Sequence, residues 1–588
     1  MVLRGDILKV SKSAGSHITL TPHPSIEIMA SSPCCLSHSL QSNIGVETHV
    51  GRGRCAFFRG EKTLKAGTVV MSCYPLAVRL CGAEARRRHC AMCLKPEKET
   101  TKQQLFRCGS CKDIYYCSKP CQLADWKGGH KLECGLYPEW VASMGNNTQN
   151  FDDLSLITRT MLALAKDDKE GCALVEDWNG ARFTTLPAAV AGGAVPCPVS
   201  CGRAHWEAMN GEVDIWGSEE TEVETGKGPG HGQWQDDKEQ RLRIAAAAAD
   251  ALKGVRVVTP EEAVMAMKRF SANNFSIFNE MLTGYAAGVY PWAAVLNHSC
   301  APNCVVRFAF SNKAEPPLLQ LIAAADIRPG DELCHSYVDL TLATPNRGVQ
   351  LKQKYGIDRC TCTRCTGGAL APWPRAGEDT LSTRIDPFFF CGDGGGDGDM
   401  YGGADAAEGD RKGRKRPEVF LPIDDFYDIQ PWARDAAGKA PHATRSNAEV
   451  FVMLTKADQA LSADDDEGEL AALKAALYKH DAAGLPPVGP LAYRISTRLL
   501  SALIVLGKHG EALEQCRRVV VCLCVALAHV EHHPLLGLQL FTLADLYEAQ
   551  GTVVGTAAAT RAYKWARRVL AVTHGTHSAL VRRLDSFL

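Results

Sequence analysis

Between residues 90 and 134, eight potential metal ligands fall in an order that few folds can satisfy. Cys90-Ala91-Met92-Cys93 and Cys108-Gly109-Ser110-Cys111 are two Cys-x-x-Cys knuckles, a spacing that lets two thiolates bind one tetrahedral Zn²⁺. Each knuckle supplies half a site. The other halves are Cys117-x-x-x-Cys121 and His130-x-x-x-Cys134, where i, i+4 spacing sets both ligands on one helical face. Ser118 reads as a helix N-cap with Pro120 in the first turn. Eight ligands close two sites with no open coordination position, so these metals are expected to hold shape and not to perform hydrolysis. Unrelated buried cysteines do not assemble in such an order by chance.

The rest of the chain narrows the surroundings of this module. Its 588 residues predict about three or four domains at roughly 150 residues each. Lysine plus arginine (65) balance aspartate plus glutamate (66), so no global field steers the protein to DNA or to an acidic membrane, and any nucleic-acid contact is local and weak. The longest apolar run, Val519 to Ala528, has ten residues, well short of the ~18 a membrane span needs, and suits a buried helix. The first 44 residues show neither a secretory nor a transit pattern, which predicts no targeting peptide. The 25 cysteines are then expected in a reducing compartment, where clustered cysteines are metal ligands more often than disulfides.

The order Cys108-x-x-Cys111-Lys112-Asp113-Ile114-Tyr115-Tyr116-Cys117-Ser118-x-x-Cys121-Gln122-x-x-x-Trp126-x-x-x-His130-x-x-x-Cys134 closely resembles the MYND zinc finger. That resemblance implies interleaved sites, with Cys90, Cys93, Cys117 and Cys121 on one ion and Cys108, Cys111, His130 and Cys134 on the other. It also implies either a groove for a short proline-rich peptide or a nucleic-acid contact through basic residues, and both uses stay open. Arg86-Arg87-Arg88-His89 gives a basic edge that is ordinarily solvated surface.

Three further pieces flank the finger. Gly51-Arg52-Gly53-Arg54-Cys55-Ala56 is a glycine turn that lets backbone approach a ligand closely. Asn297-His298-Ser299-Cys300-Ala301-Pro302-Asn303-Cys304 follows an apolar approach and carries polar side chains toward a core, where they demand partners. Gly330-Asp331-Glu332-Leu333-Cys334-His335-Ser336-Tyr337 is followed by Tyr355 and then by Cys360-Thr361-Cys362-Thr363-Arg364-Cys365. Cys360, Cys362 and Cys365 leave a tetrahedral zinc site one ligand short, and Cys300 can complete it. That closure would draw residues 355 to 365 over the Asn297-His298 pocket and bring the zinc count to three per chain.

The order of glycine turn, finger, Asn-His-Ser-Cys-x-Pro-Asn, Gly-x-Glu-x-x-x-x-Tyr, cysteine triplet and helical tail resembles the SMYD family, the SET and MYND domain protein lysine methyltransferases. The resemblance implies an α+β protein: a β-rich SET fold split by a MYND zinc finger and followed by an α-helical domain of the tetratricopeptide (TPR-like) kind. It implies an S-adenosylmethionine site built from Gly51, Arg52, Gly53, Asn273, Asn297 and His298, with Tyr337 at the methyl-transfer channel and Tyr355 lining the lysine channel. The substrate would be a lysine of a histone or another protein. Where the family usually has Leu-Arg-Ala after the glycine turn, this chain has Arg54-Cys55-Ala56. The rival reading is therefore a catalytically inactive adaptor that uses the finger and the helical domain to bind partners.

The boundaries follow: 1–44 an N-terminal extension without fixed structure, 45–89 the first SET part, 90–134 the finger, 135–254 an insertion region, 255–340 the second SET part, 341–367 the post-SET zinc segment, 368–445 a linker and 446–588 the helical domain. Short strands are predicted at Thr68 to Met71, Leu76 to Val78 and Leu318 to Ile322. Residues 165 to 240 are Gly-rich and acidic, with too little apolar surface to fold alone; Cys197, Cys201 and His205 within them lack a fourth ligand. Breaks at Gly507 to Gly510 and at Gln550-Gly551 separate helical segments near 495–530 and 535–572 that pair as two degenerate repeats. Such an array either offers a concave face to a partner or packs on the rest of the chain. The basic run Arg411 to Arg416 in the linker permits nuclear entry, so both cytoplasm and nucleus are expected.

Overall fold

The computed structural model of the chain describes residues 43–49, 52–97, 104–144, 148–170, 174–176, 182–184, 231–255, 258–367, 369–370, 384–385, 448–485 and 487–588. Gly51, the acidic run at 219–224, the Cys197/Cys201/His205 group and the basic run at 411–416 lie outside the described residues.

Strands β1 (Ile44–His49) and β2 (Gly53–Phe58) form an antiparallel hairpin. Gly53 opens β2 at φ +68°, a left-handed conformation that a side chain with a Cβ enters only at a cost. Strands β3 (Val69–Cys73) and β4 (Ala77–Leu80) follow, close to the predicted positions. They separate into two three-stranded sheets whose other members arrive more than 190 residues later: β3 joins β12 (Cys304–Ala309) through β13 (Leu318–Ala323), and β4 joins β9 (Asn274–Phe278) through β10 (Gly284–Val289). The finger therefore interrupts one β fold whose halves are separated in sequence and joined in space. A short parallel pair, β11 (Asn297–His298) with β14 (Cys334–His335), forms a separate two-stranded sheet in the register Asn297–Cys334 and His298–His335.

Within the finger, β5 (Phe106–Arg107) pairs with β6 (Tyr115–Tyr116). Ser118 caps α2 (Lys119–Asp125; α1 is Ala83–Arg88) by accepting from the Cys121 amide, with Pro120 in the first turn, as predicted. A π-helical turn, Trp126–His130, leads into α3 (Lys131–Met144). The finger, the two flanking sheets and α4 (Thr148–Glu170) share one apolar core that runs from Leu94, Ile114 and Tyr116 to Leu154, Ile157, Ile277 and Leu319.

The described residues of the 165–240 stretch are the end of α4, which runs on to Glu170, the pair β7 (Leu174–Glu176) with β8 (Arg182–Thr184), and the start of α5 (His231–Leu252). Beyond that stretch the apolar face of α5, including Ile244, Ala248 and Leu252, is buried in the shared core. The block from 255 to 365, strand-rich in sequence, also carries helices. It begins with α6 (Pro260–Asn273), started by a capping box in which Thr259 and Glu262 satisfy each other's backbone amides. It closes with α7 (Thr344–Tyr355) and the short α8 (Thr363–Gly367).

The C-terminal helices are α9 (Ala448–Ser462), α10 (Asp466–Ala482), α11 (Pro490–Val505), α12 (His509–Ala526), α13 (Pro534–Glu548), α14 (Val553–Thr573) and α15 (Ala579–Asp585). The breaks fall at Gly507, which adopts φ +69°, and at Gly551, at φ +63°. The apolar run beginning at Val519 is buried in α12. This array packs on the β-rich part of the chain: Cys300, Val305, Ile322, Ala324 and Leu340 belong to its apolar cluster. His532 Nδ1 meets the Ala324 carbonyl at 2.9 Å and His574 Nε2 meets that of Glu280 at 2.8 Å.

Candidate active site and metal centres

Three groups of ligand atoms converge, each within 4.8 Å: Cys90/Cys93/Cys117/Cys121, Cys108/Cys111/His130/Cys134 and Cys300/Cys360/Cys362/Cys365. The first two have the interleaved pairing expected, and the third has the fourth ligand expected. Four thiolates around an ion at ~2.3 Å stand about 3.8 Å apart along each tetrahedral edge. Observed separations are 3.6 Å for Cys93–Cys117, 3.5 Å for Cys117–Cys121 and 3.7 Å for Cys108–Cys134. His130 presents Nε2 at 3.4 Å from Cys108 Sγ and 3.7 Å from Cys111 Sγ. The donor sets and their spacing fit zinc.

Two of the centres are held from outside. Arg347, fully buried, directs Nε to Cys300 Sγ at 3.3 Å, with its remaining nitrogens on the Leu342 carbonyl and Thr344 Oγ1. Four thiolates around a divalent ion carry net negative charge, which a buried guanidinium offsets. On the finger, Arg159 of α4 reaches Asp125 Oδ1 and Glu133 Oε2, both at 2.6 Å. Tyr116 and Ser155 donate to the same two carboxylates. Burial alone would raise the Glu133 carboxyl, but Arg159 overrides it and holds it well below the usual range. Sequence reasoning missed both arginines.

The candidate transfer site forms where β2 meets the Glu332 loop. The Phe58 amide donates to the Asp331 carbonyl and the Leu333 amide to that of Ala56, so the glycine turn lies against the Gly-x-Glu motif. Arg52 pairs with Glu332 through both carboxylate oxygens, at 2.8 and 3.0 Å. Asn297 Nδ2 lies 3.0 Å from the Arg54 carbonyl, 3.1 Å from Cys55 Sγ and 3.0 Å from Glu332 Oε1. Arg52, Gly53, Asn297 and Glu332 are thus brought together. Asn273 closes α6, its Nδ2 bonded to the Arg269 carbonyl, two residues before Phe275.

His298 links two parts of the site. Its Nδ1 accepts the Tyr337 amide at 3.0 Å, so Nε2 carries the proton and faces Cys300 Sγ at 3.2 Å. With both ring nitrogens occupied, the imidazole couples the third metal cluster to the Tyr337 backbone and offers no free nitrogen to a cofactor. The Tyr337 hydroxyl donates to the Leu296 carbonyl, its ring lies 4.7 Å from that of Tyr355, and the Tyr355 hydroxyl donates to the Tyr337 carbonyl at 3.3 Å. Tyr355 is the last residue of α7, stopped by Gly356 at φ +67°. On the other side of Tyr337 lie His335, with ring centroids 4.9 Å apart, and Phe275, stacked on His335 at 5.7 Å. Neither Phe275 nor His335 was picked out by sequence; the usable signal for His335 was a polar residue beside the Gly-x-Glu-x-x-x-x-Tyr tyrosine.

Burial lowers the His335 imidazole from 6.5 to about 3, and nearby His298 acts in the same direction. The folded state therefore keeps His335 neutral while the unfolded chain takes up a proton below pH 6.5. Stability is intact above that pH and is lost as pH falls from 6.5 toward 3, by ~1.4 kcal/mol per pH unit. Denaturant melts at pH 7 and pH 5 should give a pH penalty about 2 kcal/mol smaller for His335→Leu than for wild type. Equal penalties would show that the ring is not held neutral by the fold.

Residues 90–134 match the family model of the MYND finger. The chain is 24% identical over 324 residues to N-lysine methyltransferase SMYD2-A of Danio rerio, 25% identical over 324 residues to N-lysine methyltransferase SMYD2 of Gallus gallus and 24% identical over 323 residues to N-lysine methyltransferase SMYD2 of Homo sapiens. Each match covers 55% of this chain and 60% of the relative.

Proposed function

We propose that this chain, which belongs to the SMYD family, transfers methyl groups to the ε-nitrogen of lysine in a protein substrate, with S-adenosylmethionine as donor. The observation that carries the reading is the convergence of Arg52, Asn297, Glu332, Tyr337 and Tyr355 from segments up to about 300 residues apart onto one place. Arg52 and Glu332 supply a cation and a carboxylate side by side, a set complementary to the carboxylate and ammonium of the donor's amino-acid end. When bound, the donor supplies an electrophilic methyl on a positively charged sulfur.

The protein's part is then alignment and exclusion of water. In-line displacement by an amine needs no nucleophilic side chain, and holding the reactants in line can supply ~7–11 kcal/mol of the barrier. Tyr337 and Tyr355 give the acceptor lysine an aromatic wall. A lysine ammonium, with a reference pKa of about 10.4, must first lose a proton. Burial between aromatic rings beside a positive sulfur lowers that value, because desolvation and like charge both disfavour the ammonium. The Tyr337 hydroxyl, already giving its proton to the Leu296 carbonyl, keeps a lone pair to accept from the amine. On the finger, Phe106, Leu123 and Trp126 are large apolar side chains left exposed, which supports a short proline-rich peptide as a second ligand.

Calorimetric titration with S-adenosylmethionine tests the reading: saturable binding at sub-millimolar ligand is expected. Tyr337→Phe should bind it as tightly as wild type while transfer slows by about 10²–10³. Absence of binding would leave the adaptor reading in place.

A further inference from the structure

Three consecutive helices of the C-terminal array enclose a cavity of about 330 Å³ that the proposed chemistry does not use. Its floor is α11, where Leu499 and Leu503 lie one turn apart and are almost fully buried. Its walls are α10 and α12, which run in the same direction: Lys474 pairs with Glu511 at 2.6 Å and Asp481 with Arg518 at 2.9 Å, each partner 37 positions further along the chain. The same offset sets Tyr478 opposite Gln515 between the two ion pairs, and both line the cavity. Where a third ion pair would stand, the walls offer an aromatic ring and an amide. Tyr478 is 72% exposed, and Gln515 Oε1 is buried with no hydrogen-bond partner among the described residues. Folded proteins rarely leave a buried acceptor without a donor, and an exposed aromatic ring beside an apolar floor is characteristic of a binding surface.

We infer that this cleft binds an arginine side chain presented by a short extended segment of a partner protein. The inference stands apart from the methyltransferase reading and does not depend on it. From Lys474 to Asp481 the wall runs about 10 Å at 1.5 Å per residue, the length of about three residues of extended chain. The volume is at the small end of the roughly 300–1,000 Å³ of ligand pockets, enough for one long side chain and part of its neighbours. The side chains of Lys474, Asp481 and Glu511 at the rim are 45%, 51% and 54% exposed, so the mouth opens to solvent.

The lining selects the occupant. Of its charged residues Asp481 and Glu511 are acidic and Lys474 is basic, a negative excess that favours a cation. An arginine satisfies every group at once. Its aliphatic stem covers the leucine floor, its planar guanidinium stacks on the Tyr478 ring, and its N–H groups donate to Gln515 Oε1 and to the flanking carboxylates while the two ion pairs stay in place. Gln515 is only half-buried, so its amide turns to meet the entering donor. A lysine ammonium lacks the plane that stacks on the ring. A glutamate would face two carboxylates and leave the amide oxygen unmatched.

The test titrates the full chain into fluorescein-labelled pentapeptide amides that carry arginine, citrulline, lysine or glutamate between alanine and leucine neighbours, with fluorescence anisotropy as the readout. The arginine peptide should bind saturably and about tenfold more tightly than its citrulline or glutamate counterparts. Tyr478→Ala and Gln515→Leu should each weaken it by about fivefold or more, while Tyr478→Phe, which keeps the ring, should bind like wild type. Because Tyr478 is exposed, its variants keep the fold, and equal melting temperatures check this. The inference is overturned by equal affinity for the arginine and glutamate peptides, by unchanged affinity in Tyr478→Ala, or by no saturable binding at millimolar peptide. Two other results would reassign the occupancy and overturn it as well: binding lost in Trp126→Ala but kept in Tyr478→Ala would put the peptide on the finger, and self-association abolished by Tyr478→Ala would make a second copy of the chain the occupant.

Discussion

Replacing Cys300 with serine is expected to lower the zinc content from three ions per chain to two, while the finger keeps its metals, and, under the proposed methyltransferase function, to cut methyl transfer at least a hundredfold. Among the described residues, the triplet Cys360, Cys362 and Cys365 reaches tetrahedral closure through Cys300, and structural sites need all four ligands. The consequence for catalysis follows from what lies on either side. Cys300 Sγ is 3.2 Å from the His298 nitrogen whose ring partner holds the Tyr337 amide. Tyr355, at the end of the helix that leads into the triplet, packs its ring against that of Tyr337 at 4.7 Å. Without the ion, residues 356–365 lose their anchor and Arg347 is left with a buried charge facing free thiols, so both tyrosines lose their fixed geometry. A misplacement of about 1 Å can cost a hundredfold in rate. Metal analysis by mass spectrometry, with transfer assays on the same preparation, decides the matter. Three ions in the variant, or two with undiminished transfer, would refute this account.

Arg159→Leu is expected to lower the free energy of unfolding by about 3–5 kcal/mol, the cost of breaking a buried ion pair by removing one partner. Arg159 holds Asp125 and Glu133, none of the three more than 7% exposed, and its removal leaves two carboxylates in the core shared by the finger and the flanking sheets. Neutralising them in the triple variant Arg159→Leu, Asp125→Asn, Glu133→Gln should recover part of the loss. Because the Glu133 carboxylate lies 4.0 Å from His130 Nδ1, the single variant should also weaken zinc at the second centre, by about 10–100-fold. Denaturant melts and competition with a chromogenic chelator measure the two effects. A change under about 1 kcal/mol would mean that water reaches the clamp and screens it.

The two kinds of residue in these predictions differ in how they announce themselves. Cys300 could be read from counting: three cysteines at short spacing and one more in an Asn-His-Ser-Cys motif make a tetrahedral set whatever the fold. The same holds for the finger ligands and for the paired C-terminal helices, whose periodicity and glycine stops are local. Even the missed helix at 260–273 was signalled by Thr259-Pro260-Glu261-Glu262, a capping pattern outweighed by its strand-rich surroundings. Arg159, Arg347, Phe275 and His335 carry no such pattern. An arginine 26 residues from Glu133 and 34 from Asp125 looks like any helix-surface charge until α4 packs on the finger.

Local chemistry, then, was set by the sequence itself: ligand identity and spacing fix the metal centres because coordination geometry tolerates few arrangements, and turn residues with apolar periods fix most strands and helices because those depend on neighbours in the chain. The tertiary structure alone decided which charges are paired and that His298 spends both ring nitrogens on the zinc loop and Tyr337. Those outcomes depend on burial and on contacts between segments tens to hundreds of residues apart, such as Arg52 with Glu332, and neither quantity exists until the strands on either side of the finger join into common sheets.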